Sequence, residues 1–207
     1  RFQIDNPFLL WASFTHPHSP FVTTQKYWDL YNHDDIDMPK VPPIPVDELD
    51  EMSRWLYYAH AQDLFTIEDE HVRNARHAYY GMTSYVDDKV GRIIETLRAT
   101  DQADNTIVIF ISDHGEMLGE RGKWFKQYFY EGSVRVPMII SHPATYKPGR
   151  VCEHVSLVDL LPTFMDWATD GNPPEPVSPL DGHSLDGLLS GGDERWDNTV
   201  ISEYTGE

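Results

Sequence analysis

Four residues with side chains suited to metal and anion chemistry lie in one short stretch of the chain. Asp113 and His114 are adjacent, and they offer a carboxylate and an imidazole as ligands. Lys123 and Lys126 follow, each with a compact ammonium charge that suits an anionic oxygen and can donate a proton. The stretch therefore indicates a site for a metal and an anion. A carboxylate and a histidine that merely cap a turn are the structural alternative, since two adjacent ligands complete no metal shell.

The elements before these residues explain how they would be positioned. Asp113 and His114 follow residues 106–111, an apolar, mostly β-branched run that predicts a strand buried on both faces. A second apolar run, residues 8–14, predicts another strand and ends in a loop that contains His16 and His18. Ligands of open α/β sheets bind beyond the carboxyl ends of strands, so the two loops are expected to converge on one edge. Solvated surface histidines are the alternative for the second loop.

The order of predicted elements defines the fold class. Residues 66–98 place apolar side chains at steps of three and four, which predicts a long amphipathic helix with Thr66 and Asp69 at its start. A strand over 134–140 and a helix over 155–167 follow. This alternation predicts an α/β fold with a mainly parallel sheet flanked by helices. Residues 199–204 are a candidate last strand.

Composition excludes several classes of function. A formal net charge of -18 argues against nucleic-acid binding, although a metal and a few lysines can still make a local positive pocket. No apolar run reaches the roughly 18–20 residues of a membrane span, so no membrane contact is expected. The single cysteine, Cys152, permits no internal disulfide and favours a reducing compartment. We therefore expect the cytoplasm, with the periplasm as the open alternative because the true N-terminus is not visible.

The sequence around the candidate site resembles a known family. The run 112–122, with 124–126 and 130–137 after it, is similar to the type I sulfatases of the alkaline phosphatase superfamily, most of all to the choline sulfatases. Further similar stretches lie, in the right order, at residues 13–21, 84–91 and 157–163. The resemblance implies an alkaline phosphatase/sulfatase-like fold. It makes residues 1–170 the C-terminal part of the sulfatase α/β domain and 171–207 the start of the C-terminal subdomain.

The same resemblance assigns roles to individual residues. Asp113 and His114 would be two ligands of a divalent metal, usually Ca²⁺ in this family. Lys126 would bind the sulfate and help protonate the leaving group. His18 would contact the sulfate or the leaving-group oxygen, which makes His18 and Lys126 the catalytic candidates. His16 is the weaker substrate-binding candidate beside them.

The family's nucleophile is not found in this sequence. These sulfatases convert the first residue of a Cys/Ser-x-Pro-x-Arg motif into formylglycine, and no such motif occurs here. Cys152 is followed by Glu153 and His154, so it does not substitute. The family's N-terminal pair of metal-binding aspartates is missing too. We therefore expect formylglycine in a missing N-terminal portion of the same protein, which would be the partner of this chain.

Three functions remain open at this point. The first is a sulfuric ester hydrolase that cleaves a small-molecule sulfate ester, choline O-sulfate, to choline and sulfate. The second is a phosphonate monoester or phosphodiester hydrolase of the same superfamily, because the site recognises a tetrahedral anion. The third is a noncatalytic module that binds an anion or a partner. A homo-oligomer is left open.

Overall fold

Helices dominate the part of the chain that the computed structural model describes, which comprises residues 7–176, 178–192 and 196–203. Two short strands accompany them. In chain order the elements are α1 (Gln25–Trp28), α2 (Glu51–Ala59), α3 (Asp69–Ala99), β1 (Val108–Ile111), α4 (Glu131–Val134), β2 (Met138–Ser141), α5 (Leu160–Ala168) and α6 (Asp186–Leu189). One-turn 3-10 helices cover His33–Asp35, Val46–Glu48, Gln62–Leu64, Ala103–Asn105, Glu120–Gly122 and Leu157–Asp159.

Helix α3 confirms the longest predicted element. Its apolar stripe is buried at Val72, Met82 and Val86, as the spacing predicts. Its start is different from the prediction: Glu68 is the N-cap and forms a reciprocal capping box with His71, in place of a Thr66–Asp69 pair. The carboxylate reaches the first turn of the helix while the imidazole returns to the Glu68 amide, so two otherwise unpaired backbone donors are satisfied.

The predicted parallel sheet is not found in the described residues. Strand β1 pairs with β2 in antiparallel register, with Val108 opposite Ser141 and Ile111 opposite Met138. The physical reason lies in the connection. A parallel neighbour needs a crossover along one face of the sheet. The chain between β1 and β2 contains the 3-10 helix Glu120–Gly122, the one-turn helix α4 and loops, with no longer helix to make that crossover, and β2 returns beside β1 in the opposite direction.

Two other predicted strands are wrong for the residues that the structure describes. Residues 8–14 form no regular element, and their apolar side chains are exposed, with Leu9 at 86% and Trp11 at 73%. A strand requires a neighbour to accept its ladder hydrogen bonds, and no described strand offers one. Residues 199–203 are likewise irregular, and Tyr204 lies outside the described residues.

The chain divides into two compact units, each considered by itself. Unit 1 comprises residues 1–100 and 116–125, and unit 2 comprises 101–115 and 126–207. In unit 2 the apolar core consists of Leu160, Leu185 and Leu188, against which Ile111 and Met138 pack. This packing places helices α5 and α6 on the two-stranded sheet. The boundary at residue 170 that the family resemblance implies stays a prediction.

Within the described residues, we find no helix that is long and apolar enough to cross a bilayer.

Candidate active site

The carboxyl end of β1 delivers the two candidate metal ligands into a short, hydrogen-bonded turn. The Asp113 carboxylate accepts the backbone N–H of His114 through Oδ1 at 3.0 Å, and its side chain is 85% exposed. The Ser112 hydroxyl donates to the His114 carbonyl at 2.8 Å. The strand end is therefore ordered by local bonds, and the second Asp113 oxygen lies 3.7 Å from His114 Nε2.

The hydrogen bonds of the His114 ring define its tautomer. Nδ1 lies 2.8 Å from the Gly115 carbonyl, which can only accept, so Nδ1 carries the proton. The lone pair is then on Nε2, which lies 2.9 Å from Lys126 Nζ and 3.7 Å from Asp113 Oδ2. Asp113, His114 and Lys126 thus form one contiguous cluster in unit 2. A carboxylate, an imidazole lone pair and an ammonium group meet there, as the sequence predicted.

The backbone at Gly115 permits this geometry. The Gly115 N–H donates to the Ser133 carbonyl at 2.7 Å. A Cβ on residue 115 would lie 2.1 Å from the Gly132 carbonyl oxygen, far inside van der Waals contact. Only glycine allows the strand end to approach helix α4 this closely.

Replacing Gly115 with alanine is expected to destabilise the protein by about 2 kcal/mol, because the backbone of residue 132 must move to admit the methyl group. Urea unfolding of the two proteins measures the difference. Gly149→Ala is the matched control, since the nearest atom to its Cβ is 3.9 Å away. Similar losses of stability in both variants would show that the close approach at Gly115 is not tight.

The two histidines of the other predicted loop belong to unit 1. His18 donates its backbone N–H to the Thr15 carbonyl at 3.0 Å, and its Nδ1 lies 2.7 Å from the Ser19 carbonyl. His16 packs against Tyr85 of α3, with ring centroids 5.1 Å apart. Both side chains are exposed. The structure gives each a defined loop conformation, and their predicted roles at the substrate stay predictions.

Lys123 is not part of the cluster. It lies in unit 1, where it is 3% exposed, and burial lowers its pKa in spite of the nearby Asp50 carboxylate. The loop that contains it, residues 116–125, closes on itself through Met117 N–H and the Phe125 carbonyl at 2.9 Å. Glu116 completes the closure by accepting the Phe125 N–H at 2.5 Å. Spacing alone did not distinguish the two lysines; only the family resemblance assigned the sulfate to Lys126.

Helix α3 and the chain before α2 hold the other end of this loop. Arg76 donates to the Leu118 carbonyl at 3.1 Å and to the Asp37 carboxylate at 2.5 Å. Burial would raise the pKa of Asp37, but the hydrogen bonds from Tyr80 and Arg76 outweigh it and lower that pKa. The Glu120 carboxylate accepts two backbone N–H groups, from Lys40 and Val41, the first at 3.0 Å. None of these contacts was foreseen from the sequence.

His60, at the C-terminal end of α2, makes the stability of unit 1 sensitive to acid. Its ring packs edge-on against Phe125 with centroids 4.9 Å apart, and burial lowers its pKa below the usual 6.5. The unfolded chain then binds the proton more readily than the folded one. The stability that the neutral His60 ring provides is therefore fully present above about pH 7.5. It is lost as the pH falls through the pKa that His60 has in the unfolded chain.

We expect His60→Asn to lose less unfolding free energy than the wild type between about pH 7.5 and pH 5.5. Denaturant unfolding at several pH values provides the measurement, and the difference between the proteins removes the contribution of the other histidines. Parallel pH curves for the two proteins would contradict the assignment.

Comparison with known proteins places the chain in a family. A strand-end carboxylate and imidazole beside a lysine are the kind of site that holds a metal and a tetrahedral anion. The family model described as Sulfatase matches residues 2–170, and the chain therefore belongs to the sulfatase family. It is 43% identical to the choline-sulfatase of Rhizobium meliloti (strain 1021), over 97% of this chain and 38% of that protein. It is 32% identical to an arylsulfatase of Clostridium perfringens (strain 13 / Type A), over 96% of this chain and 41% of that protein.

A solved structure agrees with the family. The phosphonate monoester hydrolase of Agrobacterium radiobacter is 30% identical to this chain and superposes with a TM-score of 0.77, over 94% of this chain and 40% of that one. The alkaline phosphatase/sulfatase fold predicted from the resemblance is thereby confirmed, while the parallel arrangement of its sheet is not. The chain spans between 38% and 41% of the length of these three proteins.

Proposed function

We propose that the protein to which this chain belongs is a sulfuric ester hydrolase, and that choline O-sulfate is its substrate. The observation that carries the reaction class is the contact between Lys126 Nζ and His114 Nε2 at 2.9 Å, at the end of a strand. It supplies a fixed positive charge and a proton donor to an anion in one place. The similarity to the choline-sulfatase of Rhizobium meliloti supports choline as the leaving group.

The chemistry follows from the needs of the ester. Hydrolysis breaks the bond between sulfur and the ester oxygen, and that oxygen leaves as the alcohol once it has gained a proton. The Lys126 ammonium binds a sulfate oxygen and donates this proton. His114 orients the ammonium through its Nε2 lone pair. For His18 and His16, which belong to unit 1, the roles at the substrate that the resemblance implies stay predictions.

Asp113 and His114, which follow β1, have side chains suited to part of a metal site. Asp113 offers its carboxylate and His114 its Nε2 lone pair, which a metal would take in place of the Lys126 ammonium, yet the residues described contain no group of three or more such ligands. Ca²⁺ takes about six to eight oxygens, so we propose that the two residues contribute part of a shell. When bound, a divalent ion would polarise the sulfate oxygens.

The remainder of the protein is proposed as the partner of this chain. Formylglycine in that portion would provide the attacking oxygen. The exposed apolar run that includes Leu9 and Trp11 is proposed to be covered by the same portion, since strand-forming residues need a neighbour. We propose a cytoplasmic location, which the single cysteine of this chain supports.

One specific observation favours a second candidate. The TM-score of 0.77 with the phosphonate monoester hydrolase of Agrobacterium radiobacter supports hydrolysis of a phosphonate monoester or a phosphodiester. Both substrate classes present tetrahedral anions to the same lysine and metal. They differ in charge and in leaving group, so substrate preference separates them.

The test uses the full-length protein. We expect kcat/KM for choline sulfate to exceed that for 4-nitrophenyl phenylphosphonate by about 100-fold, and intact-mass analysis to show formylglycine. A preference for the phosphonate would establish the second candidate instead. Absence of turnover on both substrates, together with an unmodified mass, would support a noncatalytic module and contradict the proposal.

A further inference from the structure

Ser133 connects the two residues on which the proposed chemistry depends. It lies in helix α4 and is 2% exposed. Its hydroxyl donates to the Lys126 carbonyl, and its own carbonyl accepts the Gly115 N–H at 2.7 Å. Every one of these atoms belongs to unit 2. One buried residue therefore bonds to the backbone of Lys126 and to the residue directly after His114.

This arrangement constrains the distance between two side chains. His114 and Lys126 meet at Nε2 and Nζ, 2.9 Å apart. The His114 ring donates to the Gly115 carbonyl, so the position of Gly115 sets the orientation of the ring. On the other side, a lysine side chain has many rotamers, and its reach depends on where its backbone is held. Ser133 supplies that anchor through a hydroxyl buried among backbone atoms.

We propose that Ser133 is a positioning residue that sets the separation of the Lys126 ammonium from His114, and thereby the delivery of the proton to the leaving oxygen. The inference rests on the proposed function, because it concerns the efficiency of the Lys126 step. Ser133 contacts neither the reacting atoms nor the metal ligands' side chains in this arrangement; it acts through the backbone of Lys126.

The hydroxyl can be removed without disturbing the second bond. Ser133→Ala deletes the donor to the Lys126 carbonyl and keeps the backbone carbonyl that accepts from Gly115. Displacing a proton donor by a fraction of an ångström is expected to lower kcat/KM about tenfold where the leaving group needs the proton. A good leaving group departs without full protonation, so the loss with it should be small.

The experiment measures kcat/KM of the full-length protein with choline sulfate and with 4-nitrophenyl sulfate. For Ser133→Ala we expect kcat/KM for choline sulfate, divided by kcat/KM for 4-nitrophenyl sulfate, to fall about tenfold. This ratio is independent of the amount of folded enzyme, so an unstable variant still gives an answer. Ser133→Thr, which keeps the hydroxyl, should return the ratio toward the wild-type value.

Two further variants separate the explanations. Ser53→Ala removes another buried hydroxyl, one that bonds to Asp50 in unit 1, and should leave the ratio unchanged. Equal losses on both substrates in Ser133→Ala would show a purely structural role and overturn the inference. If Lys126→Ala itself leaves both substrates unaffected, the proposed function fails. If Lys126→Ala acts and Ser133→Ala leaves the ratio at the wild-type value, only the inference about Ser133 fails.

Discussion

Replacing Lys126 with alanine is expected to lower kcat/KM for choline sulfate in the full-length protein by about a thousandfold. The variant removes a positive charge that contacts the anion and the proton donor to the leaving oxygen at the same time. Both are needed most in the transition state, when charge develops on that oxygen, so kcat should fall more than KM rises. Steady-state kinetics with purified protein measures both parameters.

Two variants make this result interpretable. Lys126→Arg keeps the charge but holds its proton too tightly to donate, so it should recover activity toward 4-nitrophenyl sulfate far better than toward choline sulfate. Lys147→Ala removes an exposed lysine in the same unit and should leave kcat/KM unchanged. An unchanged kcat/KM in Lys126→Ala would refute the role given to this lysine.

The elements that the sequence predicted well are those with a strong local signal. Helix α3 can be predicted without knowing what it packs against, because its apolar residues keep the same spacing along its 31 residues. The run before Asp113 is apolar enough to indicate a strand, and the polar residues directly after it could only lie at a strand end. Asp113 and His114 were therefore predicted at a strand end, with Lys123 and Lys126 as the candidate cations after them.

Sheet topology was not predicted, because it depends on pairing between distant segments. The apolar content of residues 8–14 indicates that they can form a strand, and it says nothing about where a neighbour comes from. The direction of β2 depends on the route taken by the connecting chain. That route leaves β1 through a loop in which Leu118, Arg121 and Phe125 have positive φ angles. No sequence pattern predicted these conformations.

The contact between His114 and Lys126 likewise could not be predicted from the spacing of these residues in the sequence. The Lys126 backbone is held by the Ser133 hydroxyl, a bond that has no periodic signature in the sequence. The sequence showed Gly115 as a flexible residue after the histidine. It did not show that a glycine is needed there because the backbone lies so close to Gly132. A serine in a short segment with a neighbouring glycine is too common a pattern to single out.

The closeness of His114 and Lys126 leads to a second large effect, a coupling between the two residues. His114→Ala is expected to lower kcat/KM by about a thousandfold, comparable to Lys126→Ala, because it removes the Nε2 lone pair that serves either the metal or the ammonium. If the two residues were independent, the double variant should be about a thousandfold worse than either single variant. With the coupling energy of about 2 kcal/mol that contacting residues show, it should be only about 30-fold worse.

A second readout separates the two roles of His114. Calorimetric titration with Ca²⁺ should show weaker binding in His114→Ala and in Asp113→Ala, but no loss of affinity in Lys126→Ala, because only the first two residues are proposed ligands and the ammonium competes with the ion for the Nε2 lone pair. Additive losses in the double variant would mean that the 2.9 Å contact carries no functional coupling. Unaltered Ca²⁺ affinity in His114→Ala would instead remove the imidazole from the metal shell and leave orientation of Lys126 as its role. The cycle and the titration together thus distinguish a lysine held by a metal ligand from a lysine that merely lies beside one.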